Sequence, residues 1–398
     1  MSQRLLLLFA GWLLFSCGGA PSSTTVNSGT TGGDNISPSD IVDENMNITL
    51  TPPKISTLNK PIPGFMRGIN LGNGFDAPSI GEWGVILEEN HFKYASEAGL
   101  DHVRLPVRFS AYAQSAAPYT IDETFFQKVD WAIDMAEKYN LNIIVDLHHY
   151  EEIMKAPAAH LDRFKGMWQQ IATRYQDKPE TVAFELLNEP CENLKPEILH
   201  PLMKETFELV RQTNPTRIII INPYFWANTE WLDKTDVSYA DENTVVTFHE
   251  YQPILFTHQG APWMPPEFRA TGIVFPGPGK PVEITGAAET TDWVFGWLHG
   301  YNNLPALENP SGPKTIWEEF DRVTAFVEKT GLRVYMGEFS AMDFADERSR
   351  EIYIKMVRKE SERRGIGWCY WDDGGHNRGI NVHTGQWTPL VHRALFSD

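Results

Sequence analysis

Cysteine is scarce in this sequence, with three cysteines among 398 residues. So few thiols exclude a disulfide-stabilised scaffold and a four-cysteine zinc site. Basic residues are also in deficit, because 34 Lys and Arg stand against 52 Asp and Glu and leave a formal net charge of −18. Phosphate groups are bound through Lys and Arg, so this balance argues against nucleic acid as a partner and against a basic membrane-binding surface. A hydrophobic content of 42% excludes a disordered chain.

Long apolar runs are missing as well. The apolar stretch from Leu5 to Phe15 has about 11 residues, too few to cross a bilayer but typical of a signal-peptide core. Leu14-Phe15-Ser16-Cys17 resembles a bacterial lipobox, in which the cysteine becomes the lipidated first residue. We therefore expect residues 1–17 to be a signal peptide with a lipobox Cys17, and the protein to be exported to the outer membrane or cell surface. Cleavage near Gly19-Ala20, which gives a freely secreted protein, is the alternative.

Residues 18–61 are predicted to be a flexible tether. Between Gly18 and Ser39, 18 of 22 residues are Gly, Ser, Thr, Pro or Asn, a composition that buries too little apolar surface to order itself. The remaining residues, 62–398, are long enough for one domain of catalytic size.

Within that domain, short apolar runs alternate with stretches of helical periodicity. Phe125, Val129, Ile133 and Ala136, for example, recur at three to four residues behind a possible helix cap at Asp122. Apolar runs without polar alternation are typical of a parallel sheet covered on both faces. The eight predicted strands are 65–70, 102–105, 142–146, 182–187, 217–221, 245–249, 332–336 and 366–370.

Eight such units predict an α/β fold of the (β/α)₈ TIM-barrel type, with a long loop after strand six. A doubly wound open sheet is the competing arrangement. It usually has a glycine-rich phosphate turn and a helix after its first strand, and residues 68–74 lack that spacing.

Polar residues cluster at the C-terminal ends of six predicted strands, which is where TIM barrels carry their chemistry. In chain order they are Arg104, His148-His149, Asn188-Glu189-Pro190, His249-Glu250-Tyr251, Gly337-Glu338-Phe339 and Trp371-Asp372-Asp373.

Two carboxylates on strands four and seven can face each other across the mouth of a barrel. One protonated carboxyl that donates to a leaving oxygen, and a second that attacks the anomeric carbon, together cleave a glycosidic bond. Beside them, Asn188 is suited to hold a sugar 2-hydroxyl, while Arg104 and His148 are suited to keep Glu338 ionised. Tyr251 is expected to donate to the nucleophilic carboxylate, and Trp371 to form an apolar floor under the sugar.

This arrangement resembles glycoside hydrolase family 5, the cellulase family, over nearly all of residues 65–398. The matching pieces are VRLPVRF (103–109), VDLHHY (145–150), FELLNEP (184–190), TFHEY (247–251), YMGEFS (335–340) and GWCYWDDGG (367–375). The resemblance implies a retaining mechanism in which Glu189 is the acid/base and Glu338 the nucleophile. It also implies that the subsite around the cleaved bond is completed by Arg104, His148, Asn188, His249, Tyr251 and Trp371.

Other interpretations concern the residues in and near these strand ends. Glu189 and Glu338 would be structural if each only paired with an arginine, and Glu185 and Asp146 are favoured as supporting rather than reacting groups. His148, His149, His249 and Glu189 would suit a metal-dependent barrel hydrolase, but the His-x-His that such enzymes carry on strand one is missing. We therefore predict no metal and no cofactor. Glu250 alternates to the opposite side from its neighbours and is expected to face a helix.

The loop after strand six, from Gln252 to about Pro313, is rich in aromatic residues and is long enough to suggest a function. Aromatic rings stack on the apolar faces of pyranoses, so this loop is a candidate wall of a polysaccharide cleft. Trp263 is its strongest candidate for a sugar contact. Trp293 and Trp297 are suited as well to the core face of a helix as to a sugar contact. His149 and Asn73 are added as candidate sugar contacts near strands three and one.

The sequence thus predicts an endo-acting β-1,4-glycanase, with cellulose or another β-glucan as the favoured substrate. Mannan, mixed-linkage glucan and xyloglucan are alternatives on the same barrel, and a non-catalytic glycan-binding surface lipoprotein is the remote one. The expected partner is a neutral polysaccharide, the expected state is a monomer, and membrane contact is expected only through a lipidated Cys17. Cys191 and Cys369 fall on opposite sides of the barrel and are predicted to be free thiols.

Overall fold

The computed structural model of the protein describes residues 36–398, so the predicted signal peptide, Cys17 and the first part of the tether lie outside the described residues. Eight parallel strands form a closed barrel in chain order, with β8 hydrogen-bonded to β1, which confirms the predicted fold. The strands are β1 (Arg67–Asn70), β2 (His102–Val107), β3 (Asn142–Leu147), β4 (Val182–Glu185), β5 (Ile219–Ile221), β6 (Thr244–Glu250), β7 (Arg333–Phe339) and β8 (Gly367–Tyr370); a two-stranded hairpin, β9 (Ile380–Asn381) and β10 (Gln386–Trp387), follows.

Helices surround the barrel and also occur in its loops. They are α1 (Glu89–Glu97), α2 (Phe109–Tyr112), α3 (Glu123–Lys138), α4 (Glu151–Lys155), α5 (Leu161–Arg174), α6 (Pro196–Arg211), α7 (Tyr224–Ala227), α8 (Ile254–Thr257), α9 (Ala287–Thr290), α10 (Asp292–Asn303), α11 (Pro313–Thr330), α12 (Glu347–Arg363) and α13 (Pro389–Phe396). Short 3₁₀ helices span Pro38–Ile41, Pro157–Ala159, Thr229–Lys234 and Pro266–Phe268. None of the helices formed by residues 36–398 is both long and apolar enough to cross a membrane.

The sequence pattern explains the local structure of most elements. All six residues of β2 are buried, as a strand covered on both faces requires. The α3 helix begins where predicted, because the side chain of Asp122 accepts a hydrogen bond from the N–H of Phe125 at 3.0 Å. The apolar side chains at its three- and four-residue spacing, from Phe125 to Ala136, are buried between helix and barrel. The main core therefore lies in the layer between the strands and their helices.

The interior of the barrel has a separate, smaller apolar layer below the mouth. Side chains from six strands meet there, and Ile62 and Phe65 pack beneath them. Because these two residues precede β1, they close the N-terminal end of the barrel and leave the C-terminal end open. The residues that the strands contribute to this layer are Ile144, Ala183, Ile220, Val245, Tyr335 and Cys369.

The structure differs from the prediction for residues 36–61, which pack against the barrel domain instead of extending from it. Ile41 and Val42 are buried in the main core, and Val42 pairs with Ile48 in an isolated antiparallel bridge. From α12, the Lys355 ammonium donates to the carbonyl oxygen of Asn45 at 2.9 Å. The composition that predicted a tether was counted over residues 18–39, and the prediction was extended to residue 61 although apolar residues such as Ile41 and Val42 lie beyond that stretch.

The loop after β6 is also more structured than its length suggested. It contains α8, α9 and α10, and α10 includes both Trp293 and Trp297. The buried face of α10 is formed by Val294, Leu298 and Tyr301, whereas Trp293 is 44% exposed. The prediction of a helix is therefore confirmed, but Trp293 does not belong to its core face.

Removing the packed N-terminal segment is expected to destabilise the domain. A chain that begins at residue 54 loses the buried side chains of Ile41 and Val42, worth about 1.5–3 kcal/mol each, whereas a chain that begins at residue 36 keeps them. We expect the shorter chain to unfold at a temperature lower by roughly 5 °C or more in a circular-dichroism melt. Equal unfolding temperatures for the two chains would contradict the packing described here.

Candidate active site

The open end of the barrel collects the predicted site residues from six strands. Contacts between side chains bring together all eight residues assigned to the cleavage subsite: Arg104, His148, Asn188, Glu189, His249, Tyr251, Glu338 and Trp371. Each lies at or just after the C-terminal end of its strand, except Arg104, which lies within β2.

Arg104 is the cation at the centre of this site and is fully buried. Its Nε and Nη2 donate to the two carboxylate oxygens of Glu185, each at 2.8 Å, and its Nη1 donates to Glu338 Oε1 at 2.8 Å. Asp146 Oδ2 lies 2.9 Å from Nη2. The paired guanidinium keeps the pKa of Glu185 below its usual value against the opposing effect of burial. Glu185 and Asp146 thus take the supporting positions that the sequence favoured.

Glu338 is held through both of its carboxylate oxygens. While Arg104 donates to Oε1, the Tyr251 hydroxyl donates to Oε2 at 2.9 Å. Burial, the largest effect, raises the pKa of Glu338, and the neighbouring His249, Arg104 and Tyr251 act in the opposite direction. Burial beside this carboxylate also raises the pKa of Tyr251 well above its usual value, so Tyr251 remains a protonated donor.

A bulge in β7 turns Glu338 into the barrel. Tyr335 points inward and Met336 outward, so regular alternation would send the side chain of residue 338 outward. The pairing of β6 with β7 shifts at this point, from Phe248 opposite Met336 to His249 opposite Glu338, and passes over Gly337. One extra residue in a strand re-aims the side chain that follows it, and here that side chain is the carboxylate.

Glu189 sits in a different environment across the site. Its backbone is in the left-handed region, with φ of 47°, a conformation that costs free energy in a non-glycine residue. Its Oε1 lies 2.7 Å from His249 Nδ1, and a quarter of its side chain remains exposed toward the mouth. Burial raises the pKa of Glu189 to about 7, although Arg104 acts to lower it. Glu189 is therefore suited to hold a proton at neutral pH.

The two carboxyl groups are close neighbours. Oxygen atoms of Glu189 and Glu338 and a ring nitrogen of His249 all lie within 4.8 Å of one another. Retaining glycosidases separate their two carboxyl groups by about 5–5.5 Å, whereas inverting ones need about 6.5–9.5 Å to admit a water molecule. The nearest oxygen atoms of the two carboxyls therefore lie as close together as direct attack by one carboxylate requires.

His148 and Asn188 line the side of the site next to Trp371. His148 Nδ1 is hydrogen-bonded to Asp146, and its ring lies nearly parallel to Trp371 with centroids 5.8 Å apart. Burial keeps the pKa of His148 well below its usual value, so the ring is neutral. Asn188 Oδ1 accepts from Arg104 at 2.7 Å, which fixes the amide and leaves Nδ2 near His148 Nε2 at 3.3 Å.

His149 and Asn73 lie to one side, where the loop after β1 meets the site. The backbone of His149 is in the left-handed region, and its ring packs edge-on against His148, with centroids 4.4 Å apart, and against Trp83. Its Nε2 is 3.8 Å from Asp76. Asn73 uses its amide to donate to the carbonyl oxygen of Asp373 at 3.0 Å, which joins this loop to the one after β8. Contact of either residue with a sugar stays a prediction.

Two groups of side chains have donor atoms close enough for a metal ion within the described part of the chain. They are Asp76 with His148 and His149, and Glu189 with His249 and Glu338. In the second group the donor atoms already share hydrogen bonds with one another and with Tyr251. In the first, His148 uses Nδ1 for Asp146. The hydrogen bonds of the second group account for the positions of its side chains without an ion. In the first group, both carboxylate oxygens of Asp76 are buried without a hydrogen-bond partner among residues 36–398.

Two asparagines of the site were not among the predicted residues. Asn70 accepts from Arg104 Nη1 at 2.9 Å, and Asn222 donates to Glu185 Oε1 at 2.8 Å. They lie at the ends of β1 and β5, the two strands to which the sequence assigned no residue of the cleavage subsite. Their position at a strand end was the feature of the sequence that could have identified them, since neither residue is ionisable. Cys191 and Cys369 are free thiols, as predicted.

Comparison with known proteins relates this chain to cellulases. The family model for cellulase, glycosyl hydrolase family 5, matches residues 65–377. Endoglucanase H of Acetivibrio thermocellus is 29% identical over 307 residues, which are 77% of this chain but only 29% of that protein. Endoglucanase C of the same species is 28% identical over 77% of this chain and 91% of its own length. The solved structure of endoglucanase Cel5A from Thermotoga maritima has a TM-score of 0.72 and 34% identity, covering 84% of this chain and 97% of that one.

Replacement of Arg104 by methionine is expected to destabilise the fold by about 3–5 kcal/mol, because it leaves buried carboxylates without their cation. The loss should be larger at pH 8 than at pH 5, since the unpaired carboxyls will have raised pKa values and give up stability as the pH rises through them. Denaturant unfolding at pH 5 and pH 8 measures the free energy of unfolding of the native protein and the variant.

Arg217→Met is the matched control for that experiment. Arg217 is also buried, but its partners are backbone carbonyls and the side-chain oxygen of Asn214. Its replacement should cost stability to a similar extent at pH 5 and pH 8. A loss for Arg104→Met that is equally independent of pH would contradict the role given to the carboxylates.

Proposed function

The chain belongs to glycosyl hydrolase family 5, the cellulase family, and on that premise we propose that it cleaves internal β-1,4 links of a neutral polysaccharide with retention of configuration. Glu189 acts as the acid/base and Glu338 as the nucleophile. The observation that carries this proposal is that two carboxyls whose oxygens lie within 4.8 Å of each other have different surroundings. One has its pKa raised to about 7, and the other is held by an arginine and a tyrosine.

In the first step, a Glu338 oxygen attacks the anomeric carbon while Glu189 gives its proton to the glycosidic oxygen that leaves. Arg104 and Tyr251 each bind one oxygen of Glu338 and aim the carboxylate at the sugar. Asn188 offers its amide Nδ2 to the 2-hydroxyl, a hydrogen bond that strengthens as charge develops on the ring. The bond to the leaving sugar breaks, and the remaining sugar is bound covalently to Glu338.

In the second step, Glu189 works as the base. Having lost its proton, it takes one from a water molecule that attacks the same anomeric carbon, and Glu338 leaves as a carboxylate. His249, whose Nδ1 lies 2.7 Å from Glu189, donates to this carboxylate in its ionised state and so supports the exchange of acid and base roles. Burial, the largest effect, lowers the pKa of His249, while the carboxylates of Glu338 and Glu185 act to raise it.

A β-1,4-glucan is the substrate favoured by the relatives, several of which are named endoglucanases. An uncharged polymer also fits a protein whose formal charge is −18. Mannan is the second candidate, because the solved structures of Cel5A include complexes with cellobiose and with mannotriose. Xyloglucan and mixed-linkage glucan remain further alternatives within the same chemistry.

Export is part of the proposal. We infer that residues 1–17 direct the chain out of the cytoplasm and that a lipidated Cys17 holds it, as a monomer, at the surface of a bacterial cell. The polysaccharide substrate is extracellular and too large to enter, so the site must be presented outside. Metabolic labelling with a radioactive fatty acid tests the anchor, and an unlabelled Cys17→Ser variant is its control.

Glu338→Ala is expected to abolish hydrolysis, with a loss of at least about 10³-fold, while the protein still folds because Arg104 keeps Glu185 and Asp146 as partners. Release of reducing ends from soluble β-glucan is the measurement. Glu250→Gln is the matched control, because Glu250 is buried on β6 beside the charged groups of Glu319 and Arg322 on α11, and its Oε1 accepts from the N–H of Gln252. Full activity of Glu338→Ala would remove it as the nucleophile.

A panel of soluble β-glucan, cellulose derivative, xyloglucan, xylan and mannan identifies the polymer. We expect the most reducing ends from β-1,4-linked glucans and a rapid fall in viscosity, since internal cleavage shortens the chains early. Proton NMR of the first product should show the β anomer before mutarotation. Binding of a polymer without release of reducing ends would instead support the non-catalytic glycan-binding alternative.

The pH dependence should reflect the raised pKa of Glu189. Because the first step needs this carboxyl protonated, kcat/KM should fall as the pH rises through about 7. Glu189→Gln should lose most activity on glucan but retain the first step on an aryl glycoside with an acidic leaving phenol, where no proton is needed. The rate of that residual reaction should no longer fall near pH 7. If it still falls there, the decrease belongs to a group other than Glu189.

A further inference from the structure

We propose that Trp263, Phe344 and His376 form one aromatic platform at the rim of the barrel, and that it binds a sugar unit of the polysaccharide outside the cleavage subsite. Asp343 is the residue that positions His376. The proposal rests on the proposed function and extends it, because it names a second place at which the polymer is held.

The three rings come from three different loops and meet at one point. Trp263 follows β6, Phe344 follows β7 and His376 follows β8. The rings of Phe344 and His376 stack with centroids 4.6 Å apart and an interplanar angle of 28°. Trp263 lies 5.5 Å from His376 and 6.1 Å from Phe344, tilted toward both. Residues far apart in the chain thus build a single surface.

Asp343 fixes the histidine of this platform. Its Oδ1 lies 2.6 Å from His376 Nδ1, and its backbone N–H donates to the carbonyl oxygen of His376 at 3.1 Å. Two contacts between the same residues hold both the ring and the loop that carries it. With Nδ1 engaged, Nε2 is the ring nitrogen left for a hydroxyl of a ligand.

The platform is joined to the cleavage site through the chain. Asp343 lies five residues after Glu338, and His376 five residues after Trp371, so both loops start at the cleavage subsite. The loop after β6 is tied to them because the N–H of Met342 donates to the carbonyl oxygen of Thr257 at 3.1 Å. The Thr257 hydroxyl in turn donates to the carbonyl oxygen of Tyr251, the partner of Glu338. These hydrogen bonds therefore fix the position of the platform relative to the cleavage subsite.

The exposure of the platform is that of a binding surface and not of a core. Trp263 is 39% exposed, and the side chains of His376 and Asp343 are 43% and 50% exposed. A pyranose ring has an apolar face that packs on aromatic rings and hydroxyls at its edge that need hydrogen-bond partners. Stacked rings beside a carboxylate and an imidazole nitrogen supply both, which matches a neutral sugar.

The test compares short and long substrates, namely β-1,4-gluco-oligosaccharides of three and six units. Trp263→Ala, His376→Ala and Asp343→Ala should each lower kcat/KM on the six-unit chain by about 3- to 10-fold, mainly through KM, and leave the three-unit chain unchanged. Asp343→Asn, which can still accept from the histidine ring, should behave as the native protein does. Trp293→Ala and His299→Ala replace an exposed tryptophan and an exposed histidine of α10 and serve as matched controls.

Each outcome separates the platform from the proposed function. If the native protein cleaves neither oligosaccharide, the assignment of a β-1,4-glucan substrate fails, and the platform as a glucan-binding surface fails with it. If it cleaves the six-unit chain and the rim variants match it, the platform is overturned. Equal losses on both substrates, or losses that Trp293→Ala reproduces, would likewise overturn it, because they would indicate a general structural effect and not contact with a distant sugar.

Discussion

The active site depends on one buried ion cluster, in which the guanidinium of Arg104 faces Glu185, Asp146 and Glu338 inside the barrel. Removing a cation from water costs free energy, so a buried guanidinium is stable only if several anions and dipoles surround it. The closed barrel brings these groups together from separate strands. The same requirement fixes the position of Glu338, since one of its oxygens is a partner of the cluster. The carboxylate that is proposed to react is therefore also part of what holds the site together.

The two central carboxyls differ because they stand at different distances from that cation. Glu338 is bound directly by Arg104 and Tyr251, whereas Glu189 is bound by His249 and lies toward the open mouth. Burial acts on both, but only Glu189 has its pKa raised to about 7, with no arginine in contact to offset the burial. A single charged residue can in this way divide acid and nucleophile roles between two side chains of the same type.

The strands and the loops contribute different things to the site. The strands hold the ionised groups in fixed positions, and the bulge at Gly337 turns Glu338 toward the centre. The loops after β6, β7 and β8 provide partly exposed aromatic rings at the rim, including Trp263. Because the loops are joined to one another by hydrogen bonds, such as that between Asp343 and His376, they form a defined surface despite their length.

The sequence alone predicted the barrel and details such as the Asp122 cap, because these follow from periodicity, and it placed polar residues at the strand ends. The eight residues proposed for the cleavage subsite needed, in addition, the resemblance to a known family. Only the tertiary structure decided which of these residues touch. It placed residues 36–61 on α12, added Asn70 and Asn222, turned His149 toward Asp76 and brought Asp343 to His376. Periodicity depends on neighbours in the chain, whereas these contacts join residues that are distant in the chain and meet only when the barrel closes.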